Sequence, residues 1–151
     1  MESPVIWLCD LTYTQQSISN DTIPSAIGGI GANILCDYPD ASVQIFKYPE
    51  DLSHCLDLVV EDGCIPDIIS FSNYVWNANL SYAYCSVIKD VFPQILTVSG
   101  GANFPFALAE QKDFLAIKPF LDLYLQKEGE VAWSKLGEVW KTSADLGIFL
   151  C

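Results

Sequence analysis

The sequence has 151 residues, of which 51% are hydrophobic and 17% are charged. A single domain of this size buries about two-thirds of its unfolded surface, so the composition excludes a disordered chain, and the apolar residues are too interrupted for a membrane protein. Acidic residues outnumber basic ones by 19 to 7, and the formal net charge of −12 disfavours binding to nucleic acid or to a membrane surface of anionic lipid.

Short apolar runs alternate along the chain with segments in which apolar residues recur at helical spacing. The runs, typical of strands buried on both faces, are 5–9, 43–46, 68–71, 95–99 and 121–125. The helical segments are 23–34, 52–59, 80–91, 106–115 and 131–140. The second to fifth strands start 25 to 27 residues apart, and this regular alternation predicts right-handed crossovers. We therefore expect a three-layer α/β fold, Rossmann-like (flavodoxin-like), with a doubly wound five-stranded parallel sheet in the order 2-1-3-4-5.

The first strand is followed by an unusually long connection, because the first two strands start 38 residues apart. Its extra residues form the polar segment 10–22, and such a loop in a compact domain is usually functional or disordered. Ligands of open parallel sheets bind outside the carboxyl ends of the strands, where the strand order reverses. The first and third strands flank that reversal, so the loop lies where a ligand is expected.

Three further segments follow strands at this same edge of the sheet, namely 72–77, 100–105 and 126–130. The pair Gly100-Gly101 permits close approach to the backbone, although a lone glycine pair is also typical of a plain turn. Ser72 alone would be explained equally well as a helix cap, and Glu130 as a favourable charge at a helix start. Their combination at one edge favours a ligand site.

The chain resembles a known family over residues 4–140. The matching motifs are Asp10-Leu-Thr-Tyr-Thr, Pro24-x-x-Ile27-Gly28-x-Ile30, Phe71-Ser72-Asn73-Tyr74-x-Trp76-Asn77, Gly100-Gly101-x-Asn103-Phe104-Pro105 and Glu128-Gly129-Glu130-x-Ala132. Together they are similar to the N-terminal cobalamin (B12)-binding-type domain of cobalamin-dependent radical SAM enzymes. The resemblance implies a domain that holds cobalamin at the carboxyl edge of the sheet.

The resemblance also implies which residues hold the cofactor. The candidates are Asp10, Thr12, Tyr13, Thr14, Ser72, Asn73, Tyr74, Gly100, Gly101, Asn103, Glu128 and Gly129. Ser72 and the Gly100-Gly101 pair match positions that make room for the nucleotide tail, so Gly101→Trp is predicted to block that slot while leaving the fold intact. Cobalamin domains generally carry Asp-x-His-x-x-Gly after the first strand. Here Thr12 replaces the histidine and Gln15 the glycine, and threonine is a poor cobalt ligand, so we expect cobalt without a histidine lower ligand.

The catalytic half of such an enzyme is missing from this sequence. Residues 141–151 are predicted to begin a linker to an absent radical SAM domain, which would bind the iron–sulfur cluster and S-adenosylmethionine. No Cys-x-x-x-Cys-x-x-Cys or Cys-x-x-Cys spacing occurs, so this chain alone is not expected to catalyse methyl transfer.

The six cysteines are interpreted as buried thiols and the single histidine, His54, as a surface residue. The N-terminus has no signal-peptide pattern, so we expect a cytoplasmic protein.

Two other functions are compatible with the sequence. The hydroxyl-rich segment 12–17 is typical of a flavodoxin-like FMN carrier, but it lacks the glycine that such a phosphate loop normally needs. Alternatively, Tyr13, Tyr74, Trp76 and Phe104 would form an aromatic docking surface for another domain, without a cofactor. Within the first helix, the glycines of Gly28-Gly29-Ile30-Gly31 are expected to permit close packing on the sheet rather than to bind a dinucleotide.

Overall fold

The computed structural model of the protein describes residues 3–14 and 23–145, with side chains described as far as residue 139. In this part of the chain strands and helices alternate strictly. The elements are β1 Val5–Cys9, α1 Ser25–Asp37, β2 Ser42–Phe46, α2 Pro49–Asp62, β3 Ile68–Ser72, α3 Ala78–Val91, β4 Leu96–Gly100, α4 Leu108–Ala116, β5 Leu123–Leu125 and α5 Gly129–Asp145. Each predicted strand and helix overlaps the observed one, and the ends differ by a few residues.

All five strands run parallel, in the order β2-β1-β3-β4-β5. Both the predicted fold class and the predicted strand order are confirmed. β1 pairs with β2 on one side, from Val5 opposite Ser42 to Cys9 opposite Phe46, and with β3 on the other side. The strand order reverses between β1 and β3, so the loops that follow these two strands border one crevice.

The alternation of side chains along each strand divides the core into two layers. In β1, Trp7 and Cys9 pack with residues of α2 and α3, whereas Ile6 and Leu8 pack with residues of α1 and α5. Complete burial of a large apolar side chain such as Leu8, which is 1% exposed, contributes roughly 1.5–3 kcal/mol. At the carboxyl edge of the sheet, the layer formed by α1 and α5 is open to solvent.

Two predictions about small residues and cysteines need correction. A Cβ added to Gly31 would lie 3.4 Å from both Leu8 Cδ1 and Val43 Cγ1, so Gly31 does permit close packing of α1 on the sheet. At Gly28 an added Cβ would meet nothing within 4 Å, so the packing interpretation is wrong there. Cys9 and Cys85 are buried as expected. However, Cys55 is only half-buried and Cys36 and Cys64 are exposed, and Cys151 lies outside the described residues.

None of the described helices is both long enough and apolar enough to cross a bilayer. The longest, α5, has 17 residues and carries charged side chains along its length. His54 is exposed on α2, as expected for a surface histidine.

Candidate functional site

A groove opens at the carboxyl edge of the sheet, where β3 and β4 meet the first turns of α1 and α5. Its cavity volume is about 160 Å³. The residues that line it are Ala26, Ile27, Ile30, Ser70, Phe71, Ser72, Tyr74, Gly100, Gly101, Leu125, Lys127, Gly129, Glu130 and Trp133. Clefts that enclose a whole small molecule usually measure roughly 300–1,000 Å³. The groove is therefore suited to one arm of a larger ligand, whose body would remain outside.

A polar cluster of Asp10, Ser72 and Asn77 joins the ends of β1 and β3 beside the groove. The Ser72 hydroxyl donates to Asp10 Oδ1 at 2.5 Å, and Asn77 Nδ2 donates to Ser72 Oγ at 2.9 Å and to Asp10 Oδ1 at 3.3 Å. Asn77 is fully buried, and its Oδ1 accepts from the backbone N–H of Tyr74 at 2.9 Å. Ser72 is thus not a helix cap. Its hydroxyl proton is held by Asp10, and its small side chain forms part of the groove wall.

Asn73 and Asn103 hold the loops after β3 and β4 together. Asn103 Nδ2 donates to Asn73 Oδ1 at 3.2 Å, and Asn73 Nδ2 donates to Tyr82 Oη at 2.8 Å and also contacts the Asn103 carbonyl and Tyr124 Oη, each at 3.2 Å. Asn73 is completely buried. Burial raises the pKa of both Tyr82 and Tyr124, so these hydroxyls stay protonated in the cluster. These two asparagines, predicted as cofactor ligands, support the edge of the groove without lining it.

The pair Gly100-Gly101 lines the groove, but the neighbouring backbone of this chain leaves no room for side chains at these two positions. Gly101 has φ +131°, and a Cβ there would lie 2.7 Å from the Asn73 carbonyl oxygen. At Gly100 an added Cβ would lie 3.3 Å from the Leu125 carbonyl oxygen. The prediction that Gly101→Trp leaves the fold intact is therefore wrong, because any side chain at this position collides with the adjacent backbone.

The described start of the loop after β1, residues 10–14, lies along β2. Its backbone follows β2, since the N–H groups of Asp10 and Thr12 donate to the carbonyls of Phe46 at 2.9 Å and Lys47 at 3.0 Å. Thr14 Oγ1 then donates to Glu50 Oε1 at 2.6 Å, and this hydrogen bond lowers the pKa of the Glu50 carboxyl. The predicted candidates Thr12, Tyr13 and Thr14 are consequently not among the groove-lining residues. Gln15 and the rest of the segment to residue 22 lie outside the described residues.

The turn between β5 and α5 forms the opposite lip of the groove. Gly129 begins α5, and a Cβ there would lie 2.7 Å from Ile30 Cδ1, so this glycine allows α5 to approach α1. Glu130 lies in the first turn of α5, as predicted, and its Oε1 would lie 3.5 Å from a Cβ added to Gly29 of α1. Glu128 is exposed and does not line the groove, although its carbonyl accepts the Ala132 N–H at 3.1 Å.

Several groove residues were not predicted from the sequence. Ser70 lies in the middle of β3, where it is the one residue of the strand that is not fully buried. A small polar residue inside an otherwise apolar strand could have indicated that the sheet borders a cavity at Ser70. Two further lining residues, Lys127 and Trp133, lie at or near the start of α5, and Trp133 is only 4% exposed. Their position in the groove depends on how α5 approaches the sheet, which the sequence alone does not show.

The predicted aromatic surface is divided among different parts of the edge. Tyr74 and Trp76 stack with ring centroids 4.6 Å apart and planes inclined by 6°, and Trp76 is 64% exposed. Phe104 instead stacks on Tyr124 at 3.9 Å and packs edge-on against Phe114. Only the pair of Tyr74 and Trp76 therefore presents stacked rings to solvent beside the groove.

Within residues 3–14 and the described side chains of 23–139, no group of three His, Cys, Asp or Glu side chains is placed to hold a metal ion. The same part of the chain contains no buried side-chain nitrogen or oxygen without a hydrogen-bond partner.

Two curated proteins are similar to about half of the chain. TokK from Streptomyces tokunonensis, a cobalamin-dependent radical SAM methyltransferase, is 33% identical over 76 residues, which is 50% of this chain and 11% of TokK. The 2-(S-pantetheinyl)-carbapenam-3-carboxylate methyltransferase of Streptantibioticus cattleyicolor is 34% identical over 71 residues, which is 47% of this chain and 10% of that protein. The matched segment thus spans about a tenth of each relative. These matches fit a B12-binding-type domain. No protein-family model matches the chain.

Proposed function

We propose that this chain is a cobalamin-binding-type domain of a radical SAM enzyme, and that the groove takes the nucleotide arm of the cofactor. The observation that carries the proposal is an open groove at the carboxyl edge of the parallel sheet, beside β3 and β4, lined by small residues that include Ser70, Ser72 and Gly100. The similarity to a cobalamin-dependent radical SAM methyltransferase supports it independently.

The walls of the groove fit the chemistry of such an arm. Ile27 and Ile30 of α1 and Trp133 of α5 provide apolar surface for an aromatic base, and hydrophilic groups occur at the mouth. A groove of about 160 Å³ does not enclose a corrin ring, so the ring would lie above the edge of the sheet. There Tyr74 and Trp76 offer exposed aromatic faces.

The proposal includes cobalt without a protein imidazole below it. Thr12 occupies the position of the usual histidine, and its N–H is bonded to the Lys47 carbonyl at the end of β2. Bound cobalamin would supply cobalt-centred methyl-transfer chemistry, while residues of this chain bind and orient the cofactor. We further propose that residues 4–140 are this domain and that 141–151 begin a linker to a radical SAM domain. That domain would hold the iron–sulfur cluster and S-adenosylmethionine.

Titration of the purified chain with hydroxocobalamin, followed by desalting, tests the proposal. We expect a change in the visible spectrum that saturates at one cobalamin per chain and a red to amber protein after desalting. A chain that shows no spectral change and retains no corrinoid would refute cobalamin binding. Retention of a yellow chromophore from the expression host would instead identify a flavin carrier.

A docking module without a cofactor is the second candidate. Val75 and Trp76 are 80% and 64% exposed beside the groove, and exposed apolar groups of this size often mark a contact with another domain. A colourless chain that ignores hydroxocobalamin, yet binds a separately produced radical SAM domain, would favour this function.

A further inference from the structure

Among the described residues that line the groove, Lys127 is the only cation. Within the described residues its ammonium group has no ion-pair or hydrogen-bond partner, whereas Lys89 is paired with Asp122 and Lys118 lies 3.6 Å from the centroid of the Phe114 ring. The exposed Lys127 thus places a positive charge at the mouth of the groove that no described side chain pairs with, in a protein whose formal net charge is −12.

The backbone offers no reason for a lysine at this position. Lys127 has φ +65°, and it is the only described non-glycine residue with a positive φ. Its Cβ crowds the following carbonyl in this conformation, so glycine or asparagine would suit the turn better. The turn alone does not explain the lysine side chain.

The charges around the groove define what Lys127 can bind. The other charged lining residue, Glu130, places its carboxylate on the α1 side beside Gly29. The strongly acidic protein repels anions in general, so an anionic group enters the groove only where a cation offsets this field. The nucleotide arm of cobalamin carries one such group, its phosphodiester.

We propose that Lys127 binds the phosphodiester of the nucleotide arm and thereby selects corrinoids that carry a complete arm. This rests on the proposed function, because it concerns the same groove. Lys127 would act as a specificity-determining residue, since it contacts a part of the cofactor that is remote from cobalt.

The test compares hydroxocobalamin with cobinamide, a corrinoid without the nucleotide and its phosphate. Both are titrated into the 151-residue chain and into Lys127→Gln, Lys127→Arg and the control Lys135→Gln, an exposed α5 residue outside the groove lining. Circular dichroism checks that each variant is folded. We expect Lys127→Gln to bind hydroxocobalamin about fivefold more weakly at low salt, as for a solvent-accessible ion pair, with cobinamide affinity unchanged. Lys127→Arg and Lys135→Gln should bind like the unmodified chain.

Salt provides a second readout, because screening shortens the Debye length to roughly 3 Å at 1 M. The difference between the unmodified chain and Lys127→Gln should shrink under those conditions. If the unmodified chain and Lys127→Gln bind hydroxocobalamin equally tightly at low salt, the role of Lys127 is overturned and the proposed function is not affected. The same holds if Lys127→Gln loses as much affinity for cobinamide as for hydroxocobalamin. Failure of the unmodified chain to bind hydroxocobalamin would overturn the proposed function, and the role of Lys127 with it.

Discussion

Replacing Ser70 by phenylalanine is expected to fill the groove and to weaken cobalamin binding about 70-fold. Ser70 lies on β3 at the base of the groove, and within the described residues its hydroxyl has no hydrogen-bond partner. A phenyl ring at this position would occupy much of a cavity of about 160 Å³. An aromatic base that loses about 100 Å² of buried apolar contact loses about 2.5 kcal/mol at 25 cal/mol per Å², which corresponds to roughly 70-fold in Kd.

The variant should remain folded, because the introduced ring meets the apolar walls formed by Ile27, Ile30 and Trp133. The assay is a hydroxocobalamin titration of the unmodified chain, Ser70→Phe and Ser70→Ala, combined with thermal unfolding. Ser70→Ala removes the hydroxyl and leaves the cavity open, so its Kd should stay within about twofold of the unmodified value. If Ser70→Phe is folded and binds cobalamin as tightly as Ser70→Ala does, the groove is not the binding site of the arm.

Two further predictions concern stability. Gly101→Ala should lower the free energy of unfolding by about 1–3 kcal/mol in urea, because φ is +131° and its Cβ would lie 2.7 Å from the Asn73 carbonyl. In the control Gly28→Ala the added methyl group has no neighbour within 4 Å, so this helical substitution should raise that free energy by about 0.5–1 kcal/mol. Equal effects of the two substitutions would contradict the positive φ and close contact of Gly101. Burial raises the pKa of Cys85 to about 12 from an ordinary 9.0, so the thiol stays protonated in the folded state longer than in the unfolded chain. The free energy of unfolding should therefore fall as pH rises from 9 towards 12. Urea titrations at successive pH values measure this fall, which should be smaller in Cys85→Ala. The same dependence on pH in Cys85→Ala and in the unmodified chain would contradict the assignment to Cys85.

The sequence predicted the sheet well because its signals are local and repeated. The runs of β1, β3 and β4 are buried as predicted, whereas the prediction of burial on both faces is wrong for the mostly exposed β2 and the half-buried β5. The spacing between the runs leaves room for one helix, so the parallel arrangement followed from known connection rules. The carboxyl edge as the place of the candidate site followed from the same topology. Five candidates that the family resemblance implies line the groove, namely Ser72, Tyr74, Gly100, Gly101 and Gly129.

The remaining site residues depend on contacts between distant segments, which the sequence does not encode locally. The resemblance implies Thr12 and Thr14 as cofactor-binding residues, but hydrogen bonds to Lys47 and Glu50 hold residues 10–14 along β2. Asn73 was chosen from its motif, yet its amide is used by neighbouring loops. Lys127 lines the groove because of where α5 starts relative to α1, and the local sequence does not show this contact.

The Asp10 carboxylate is held at the edge of the sheet without a histidine at position 12. In Asp-x-His-x-x-Gly the carboxylate orients an imidazole, so loss of the ring would leave a half-buried charge without a partner. Here Ser72 and Asn77 both donate to Asp10 Oδ1, and they connect β1 to β3 through it. The carboxylate is therefore stabilised by residues of the sheet edge itself, whatever side chain stands at position 12. Within the described residues, this part of the edge is therefore built by hydrogen bonds among Asp10, Ser72 and Asn77 and does not depend on a histidine after β1.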